Sequence, residues 1–327
     1  MLAVSLIGGW YIWDYDVYMR SPMPISEEGL RYDVRAGASI RSIASDLARL
    51  GVLKKPRYFE ISARLSGQAT RIQYGEYAIE SGITPERLLD QFVTGKVLQY
   101  SLTLVEGWNF KQVVEAIAQS PAILKDTQDL SPARIMARLG SEGDHYEGQF
   151  FPDTYYFPRG ISGIEFLRRA RRLMQKTLTE EWTDRAKGLP YKNSNEALIM
   201  ASIIEKETSV PGERSQIAGV FVRRLQKKMR LQTDPTVIYG MGDAYKGNIR
   251  RSDLQRDTPY NTYTRKGLPP TPIAMPGRDS IRAALHPEPG DTLYFVAKGD
   301  GSHQFSVTFE EHDAAVTRYQ RRRKTRR

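Results

Sequence analysis

NEALIMASIIEKET, residues 195–208, is the stretch around which the rest of the chain is organised. Residues 197–204 are apolar except for Ser202, which predicts a helix buried on all sides. A short polar side chain at positions 193–195 can cap the helix by accepting free backbone N–H groups. Pro211 and Gly212 predict that the helix ends soon after its charged residues.

Two glutamates end this helix on different faces. Helix residues are spaced at about 100° around the axis, so Glu207 lies on the same face as Met200 and Ile203, whereas Glu205 lies on the face of Leu198. Apolar neighbours and the negative end of the helix dipole both raise the pKa of such a carboxyl group. A general acid needs a raised pKa near neutral pH. The alternative is that both glutamates lie on an exposed helix end, as glutamates without a partner usually do.

Composition limits the class of protein. The 327 residues suggest two domains plus extensions. The hydrophobic share of 40% and the charged share of 26% are typical of a soluble globular protein. A net charge of +10 suits nucleic acid, anionic lipid or an anionic polymer. Seven of the basic residues lie in residues 318–327, a run typical of a solvated tail and less often of an anchor. No nucleic-acid motif is found, so no nucleic-acid partner is expected.

Cysteine and histidine usage argues against metal and thiol chemistry. The absence of cysteine excludes disulfides, thiolate zinc sites and cysteine nucleophiles. His286, His303 and His312 are too widely spaced to suggest a local metal site. No metal and no cofactor are therefore expected.

The N-terminus predicts a membrane segment. Residues 1–13, MLAVSLIGGWYIW, carry no charge, and aromatic residues of an interfacial type follow at 10–18. The run is shorter than the roughly 20 apolar residues that a span needs. We interpret it as the outer end of a transmembrane helix whose start was lost to truncation or a misassigned start. The alternative is a buried N-terminal helix or strand.

The chain after Ser21 alternates strands and helices. Residues 30–96 predict a compact α+β module of strand, two helices, strand and helix. EGQFFPDTYYFP at 147–158 offers aromatic rings for sugar stacking or, alternatively, for core packing. Residues 231–239 are predicted to be irregular, and the proline-rich residues 261–276 to form a rigid loop that buries little. Residues 294–307 predict a hairpin, followed by a last helix.

Four motifs carry a resemblance to a known family. They are ASIIEKET at 201–208, LQTDPTVIYGMG at 231–242, YNTYTRKGLPPTPIAMPG at 260–277, and HP at 286–287 followed by LYFVAKGDGSHQFS at 293–306. Their sequence and order resemble the endolytic murein transglycosylase (MltG, YceG-like) family over roughly residues 98–319. The module before them resembles that family's LysM-like part, which binds amino-sugar polymers.

The resemblance implies an α+β chain with a small LysM-like module and a larger lysozyme-like, YceG-type catalytic domain. The implied domains are a membrane anchor at 1–20, the LysM-like module at 30–96, the transglycosylase domain at 97–320 and a basic tail at 321–327. The shortened N-terminus departs from the family's single inner-membrane anchor. The expected location is the bacterial inner membrane, single-pass, with the catalytic domain in the periplasm. Expected partners are peptidoglycan glycan strands, peptidoglycan synthases and the inner membrane.

The resemblance also implies a reaction. Such enzymes cut the MurNAc–GlcNAc β-1,4 bond of nascent strands without water and leave 1,6-anhydroMurNAc ends, which terminates strand elongation. One carboxyl group serves as acid and then as base. In soluble lytic transglycosylases the catalytic Glu precedes Ser, and the pair Glu207-Thr208 is similar. Glu205 is the second choice, as a structural or ion-pairing residue. By resemblance the saccharide groove is lined by Gln232, Thr233, Asp234, Tyr239, Asn261, Thr262 and Tyr263.

Two alternatives remain open at this point. One is a muramidase-type hydrolase with Glu207 as acid and Asp234 as base, which would give reducing MurNAc ends. The other is a non-catalytic scaffold that binds peptidoglycan, in which the first module supplies all of the binding activity.

Overall fold

The structure, a computed structural model, describes residues 2–321. From residue 322 onward, the predicted basic tail lies outside the described residues. The chain divides into two compact units. The first unit contains the residues up to Ser101 together with Tyr156–Ile161, and the second contains Leu102–Tyr155 and the residues from Ser162 onward. Helices and small sheets alternate along the chain, which confirms the predicted α+β class.

The first unit is built on an antiparallel strand pair with helices on it. Its elements are α1 (Leu2–Arg20), β1 (Leu30–Val34), α2 (Ile40–Arg49), α3 (Pro56–Leu65), β2 (Gly75–Ile79) and α4 (Pro85–Thr94). Tyr32 of β1 lies opposite Tyr77 of β2. Phe59 and Phe92 are fully buried against this pair, so aromatic rings form the centre of the unit.

Helix α1 corrects the prediction made for the N-terminus. Among residues 2–321 no helix is both long enough and apolar enough to span a membrane. The single-pass inner-membrane location predicted from residues 1–20 is therefore wrong for the described residues. Three of the rings interpreted as an interfacial belt, those of Tyr11, Tyr15 and Tyr18, instead meet Tyr58 of α3 edge to face. Asp14 accepts hydrogen bonds from the Lys55 ammonium group at 2.6 Å and the Tyr58 hydroxyl group at 2.7 Å.

The remaining elements follow in chain order. They are β3 (Gln99–Thr103), α5 (Phe110–Gln119), β4 (Ile123–Leu124), α6 (Pro132–Arg138), β5 (Thr154–Pro158), β6 (Ile161–Ser162), α7 (Gly163–Thr183), α8 (Ser194–Glu207), α9 (Arg214–Gln226), α10 (Asp234–Met241), α11 (Arg251–Gln255), α12 (Arg278–Leu285), β7 (Tyr294–Ala297), β8 (His303–Ser306) and α13 (Phe309–Val316). Strand β3 pairs with β5, and β4 pairs with β6. Strands β7 and β8 form the predicted hairpin.

Helix α8 is the predicted central helix and forms the middle of the second unit's core. The Asn193 side chain caps it by accepting the Glu196 N–H at 3.0 Å. Every residue from Ala197 to Ile204 is buried, as the apolar run predicts. The helix packs against α9 and α12, whose Phe221 and Ile281 are fully buried.

Two predictions for the segments beside α8 are wrong. Residues 231–239 are not irregular throughout, because α10 begins at Asp234 with Pro235 in its first turn, where a missing N–H costs nothing. The loop at 261–276 is predicted to bury little, but its Ala274 and Met275 are fully buried. A loop can enter a core only if its backbone polar groups find partners. The Ile273 N–H does so by donating to the Ser202 hydroxyl group of α8 at 3.0 Å.

We therefore expect Ser202→Ala to destabilise the second unit. Ser202 Oγ also donates to the Ile199 carbonyl group, and alanine would leave the buried Ile273 N–H without its acceptor. The expected loss is about 1–3 kcal/mol in the free energy of unfolding, measured by urea denaturation. Ser209→Ala, at an exposed position just beyond α8, is the control and should lose much less. Equal losses in the two variants would contradict this account of the loop.

Candidate active site

Glu205 is held in a cluster of charges at the end of α8. Its side chain is only 7% exposed, and Arg214 lies 3.9 Å from one of its carboxylate oxygens. The other oxygen accepts the Gly277 N–H at 2.9 Å. Arg214 also lies 3.9 Å from Glu106, whose pKa is raised by burial and by the charge of Glu205. Glu205 is thus engaged by a backbone amide and an ion pair, and it is not on an exposed helix end.

Glu207 has a different environment. Its Oε2 accepts a hydrogen bond of 2.6 Å from the hydroxyl group of Thr233. Burial raises the pKa of Glu207 to about 7, and the negative charge of Asp234 acts in the same direction. The Thr233 hydrogen bond, His303 and Arg224 act in the opposite direction and limit the rise. This carboxyl group can therefore hold a proton near neutral pH and also release it.

Threonine side chains fix the donor to Glu207. The N–H of Thr233 donates to Thr262 Oγ1 at 3.1 Å. The Thr236 hydroxyl group, on the first turn of α10, bonds both the Thr233 carbonyl oxygen at 2.8 Å and Thr262 Oγ1 at 2.9 Å. All three threonines are buried. The start of α10 and the loop after Asn261 are thereby joined directly beside Glu207.

The structure places the other predicted groove residues in two groups. Asn261 is 1% exposed and donates from Nδ2 to the carbonyl groups of residues 253, 254 and 256, so its side chain shapes the loop. Thr262 is buried with it. Gln232 and Asp234 are exposed on either side of Thr233. The Tyr263 hydroxyl group donates to Asp234 at 2.6 Å, and burial together with this bond raises the pKa of Tyr263.

A cleft of about 860 Å³ opens in the second unit. Its walls include the end of α8 at Lys206, the start of α10 at Pro235, and the phenol ring of Tyr239. Glu207 is not among its lining residues, whereas the preceding residue, Lys206, is. The cleft also carries aromatic, amide and cationic side chains: Asn109, Phe110, Lys111, Gln112, Tyr146, Tyr245 and Tyr260.

A second buried carboxyl group lines this cleft, and sequence reasoning did not select it. Glu147 is 2% exposed. Its Oε1 accepts the Phe110 N–H at 2.9 Å, and its Oε2 accepts the Tyr239 hydroxyl group at 3.0 Å. Burial raises the pKa of Glu147 to about 7, against the effect of these bonds and of the Gly148 N–H. The signal available in the sequence was a carboxylate at the head of the aromatic segment 147–158.

The aromatic segment itself mostly serves the core. Phe150 and Phe157 are fully buried, which agrees with the core-packing interpretation. Tyr156 is exposed, whereas Tyr155 is part-buried and donates to the Phe151 carbonyl group. Among residues 2–321, no group of three or more histidine, aspartate or glutamate side chains is arranged to hold a metal ion.

Comparison with known proteins identifies the family. The model of the YceG-like family matches residues 32–318 of the chain. The chain belongs to the YceG-like family. Its α+β architecture is similar to that of a yceG-like protein from Listeria monocytogenes, which is known from a 2.6 Å crystal structure and is 30% identical in sequence. The TM-score is 0.56, and the match covers 88% of this chain and 99% of that one.

Characterised relatives carry one name. The endolytic murein transglycosylase of Bacillus subtilis strain 168 is 32% identical over 321 residues, which cover 90% of this chain and 86% of the relative. The endolytic murein transglycosylase of Streptococcus pneumoniae serotype 2 strain D39 is 26% identical over 357 residues and matches 97% of this chain. The match spans 63% of the length of that pneumococcal protein.

We expect Thr233→Val to raise the pKa of Glu207. Valine keeps the shape of the side chain and removes the hydroxyl donor that favours the ionised carboxylate. A hydrogen bond to a charged group is worth about 1.5–3 kcal/mol, so the titration midpoint should rise by roughly one to two pH units. Carboxyl ¹³C NMR titration of Glu207 measures the midpoint directly. Thr233→Ser keeps the donor and should titrate as the unaltered protein does, whereas an unchanged midpoint in Thr233→Val would contradict the assignment.

Proposed function

We propose that this chain is an endolytic lytic transglycosylase that cleaves MurNAc–GlcNAc β-1,4 bonds in peptidoglycan glycan strands. The observation that carries the proposal is the Glu207 carboxyl group at the end of a buried helix, with a pKa near 7 and a fixed hydroxyl donor. Membership of the YceG-like family and the names of the relatives support the same activity.

The reaction needs one carboxyl group in two steps. In the first, protonated Glu207 gives its proton to the glycosidic oxygen while the bond from that oxygen to C1 of MurNAc breaks. In the second, the carboxylate takes the proton of the MurNAc 6-hydroxyl group while the oxygen of that hydroxyl group forms a bond to C1. The product is a 1,6-anhydroMurNAc end, Glu207 is again protonated, and no water is consumed.

The surroundings of Glu207 suit both steps. Burial favours the neutral acid that starts the reaction. The Thr233 hydroxyl group, His303 and Arg224 favour the carboxylate that exists between the two steps. Arg224 is itself buried and held by hydrogen bonds to the backbone carbonyl groups of residues 231 and 293, so its charge stays in place.

We assign substrate contacts to the residues that surround Glu207. Gln232, Asp234 and Tyr263 present polar groups at the surface beside it, and Tyr239 does so in the cleft. Asn261 and Thr262 would act by holding that surface, since their side chains bond within the protein. The exposed Asp234 is also the residue that a hydrolase would use as a base, and the products discriminate between the two reactions.

We propose a LysM-like glycan-binding role for residues 30–96 and the catalytic role for residues 97–320. The order β1, α2, α3, β2 with antiparallel pairing of the two strands supports the first assignment. Peptidoglycan synthases are the proposed partners, because an enzyme that releases or trims nascent strands must work where those strands are made. A non-catalytic scaffold would instead retain glycan binding after deletion of residues 98–327 and break no bond.

Digestion of purified glycan strands tests the activity and its catalyst. The unaltered protein should give fragments with 1,6-anhydroMurNAc ends, read by mass spectrometry. Glu207→Gln, which cannot exchange the proton, should lose activity by a factor of about 10² or more. Glu196→Gln, in the first turn of the same helix, is the matched control and should remain active.

Each contrary result has a definite meaning. Reducing MurNAc ends would identify a hydrolase. Full activity in Glu207→Gln together with loss in Glu205→Gln would move the acid to Glu205. Binding of strands without any cleavage by the unaltered protein would favour the scaffold.

A further inference from the structure

Glu147 and Tyr239 form a polar pair in the wall of the cleft, apart from the contacts of Glu207. Among the described residues, Glu147 is the hydrogen-bond partner of the Tyr239 hydroxyl group. The ring of Tyr239 is fixed by an edge-to-face contact with Tyr260, with ring centroids 4.9 Å apart. Both members of the pair line the cleft. The pair therefore determines what the phenol oxygen offers to a bound molecule.

The direction of the hydrogen bond between them is set by Phe110. Its N–H, at the first residue of α5, can only donate, so Glu147 Oε1 must accept from it. An ionised Glu147 can only accept at Oε2 as well, which forces the Tyr239 hydroxyl group to donate to it. With its proton committed in this way, the phenol oxygen of Tyr239 presents only lone pairs to the cleft.

We propose that Glu147 is a positioning residue that holds Tyr239 as an obligate hydrogen-bond acceptor for a donor on the glycan. The fitting donor is the amide N–H of an N-acetylated amino sugar, since an amide N–H can only donate. The inference rests on the proposed function for its ligand. It adds a specificity-determining contact in the cleft that does not involve the reacting carboxyl group.

Glu147→Gln should reverse the contact. The amide oxygen of glutamine must serve the Phe110 N–H, so its NH₂ group faces Tyr239, which then accepts. The Tyr239 proton would turn toward the cleft. The phenol O–H and the N–H of the sugar, both hydrogen-bond donors, would then face each other. Loss of one such hydrogen bond weakens binding on the order of tenfold. Tyr239→Phe, which removes the hydroxyl group alone, should weaken binding to a similar extent.

Protonation of Glu147 should have the same effect as the glutamine. Its proton would sit on Oε2, donate to the Tyr239 oxygen and turn the phenol proton toward the cleft. Since the pKa of Glu147 is raised to about 7, the acceptor is present above that pH and lost as the pH falls through it.

Other titratable groups lie near the pair. His145, whose pKa is lowered by burial, accepts the Glu147 N–H, and burial raises the pKa of the Tyr146 phenol. The other charged residues that line the cleft are Lys206 and the Lys111–Asp243 ion pair, in which each partner's pKa is moved away from neutrality by the other.

The test is the dissociation constant of an uncrosslinked peptidoglycan glycan strand, measured by calorimetry from pH 5 to 8. The full chain carrying Glu207→Gln is the reference, so that no strand is cleaved during the measurement. Glu147→Gln, Tyr239→Phe and both together are added to it. At pH 8 each single change should weaken binding about tenfold, and the double change no further, because Glu147 acts through Tyr239. The reference should bind more weakly as the pH falls, and the Glu147→Gln protein should show no such dependence.

Several results would overturn the proposal. These are additive losses in the double variant, unchanged binding in Tyr239→Phe, a pH dependence that survives in Glu147→Gln, or no binding by the reference. A surviving pH dependence would point to His145. Circular dichroism and the melting temperature verify that the variants fold, and Tyr239→Phe tests the contact without altering the buried carboxyl group. Failure of the activity is separate, since strands bound but never cleaved by the unaltered protein would refute the proposed function and leave this contact standing.

Discussion

The hydrogen bond from Thr233 to Glu207 is the interaction on which the candidate site depends. A carboxyl group at the end of an apolar helix would otherwise be driven toward the neutral acid by burial alone. One short, fixed donor keeps the ionised form within reach, so that the same group can give and take a proton. Several other residues of the second unit support this hydrogen bond. Thr262 holds the backbone of Thr233, Asn261 holds the loop that carries Thr262, and buried Arg224 supplies a positive charge.

Helix α10 connects this site with the second buried carboxyl group. Thr233 immediately precedes the helix and meets Glu207, while Tyr239 lies in its second turn and meets Glu147. The six steps from Thr233 to Tyr239 along the helix correspond to a rise of about 9 Å. The backbone of a short helix thus sets the spacing between the proposed reacting bond and the proposed acceptor. Glu207 and Glu147 both lie outside α10, so the helix acts as a spacer between the partners of the two acids.

Local pattern was sufficient for α8 and insufficient for α10. At 197–204 the apolar run with polar residues before it predicts a buried helix, and α8 has this form. At 231–239 the interspersed polar residues mask a helix that depends on Pro235 in its first turn and on the distant Thr262. The interpretation of the α1 tyrosines as an interfacial belt failed for the same reason, because Tyr58, which they contact, lies some forty residues away in the sequence. Asn261 shows the limit most clearly: nothing in its neighbours reveals that its amide bonds the turn at 253–256.

The carboxyl groups of Glu207 and Glu147 make opposite demands on pH. Glu207 begins the proposed reaction protonated, so activity that depends on it falls as the pH rises through about 7. Glu147 keeps Tyr239 an acceptor only while ionised, so binding that depends on it falls as the pH drops through about the same value. Burial raises both pKa values, and the two effects therefore meet near neutrality. An enzyme built in this way is confined to a narrow pH range by two different steps: the turnover number fails on the alkaline side, and substrate affinity fails on the acid side.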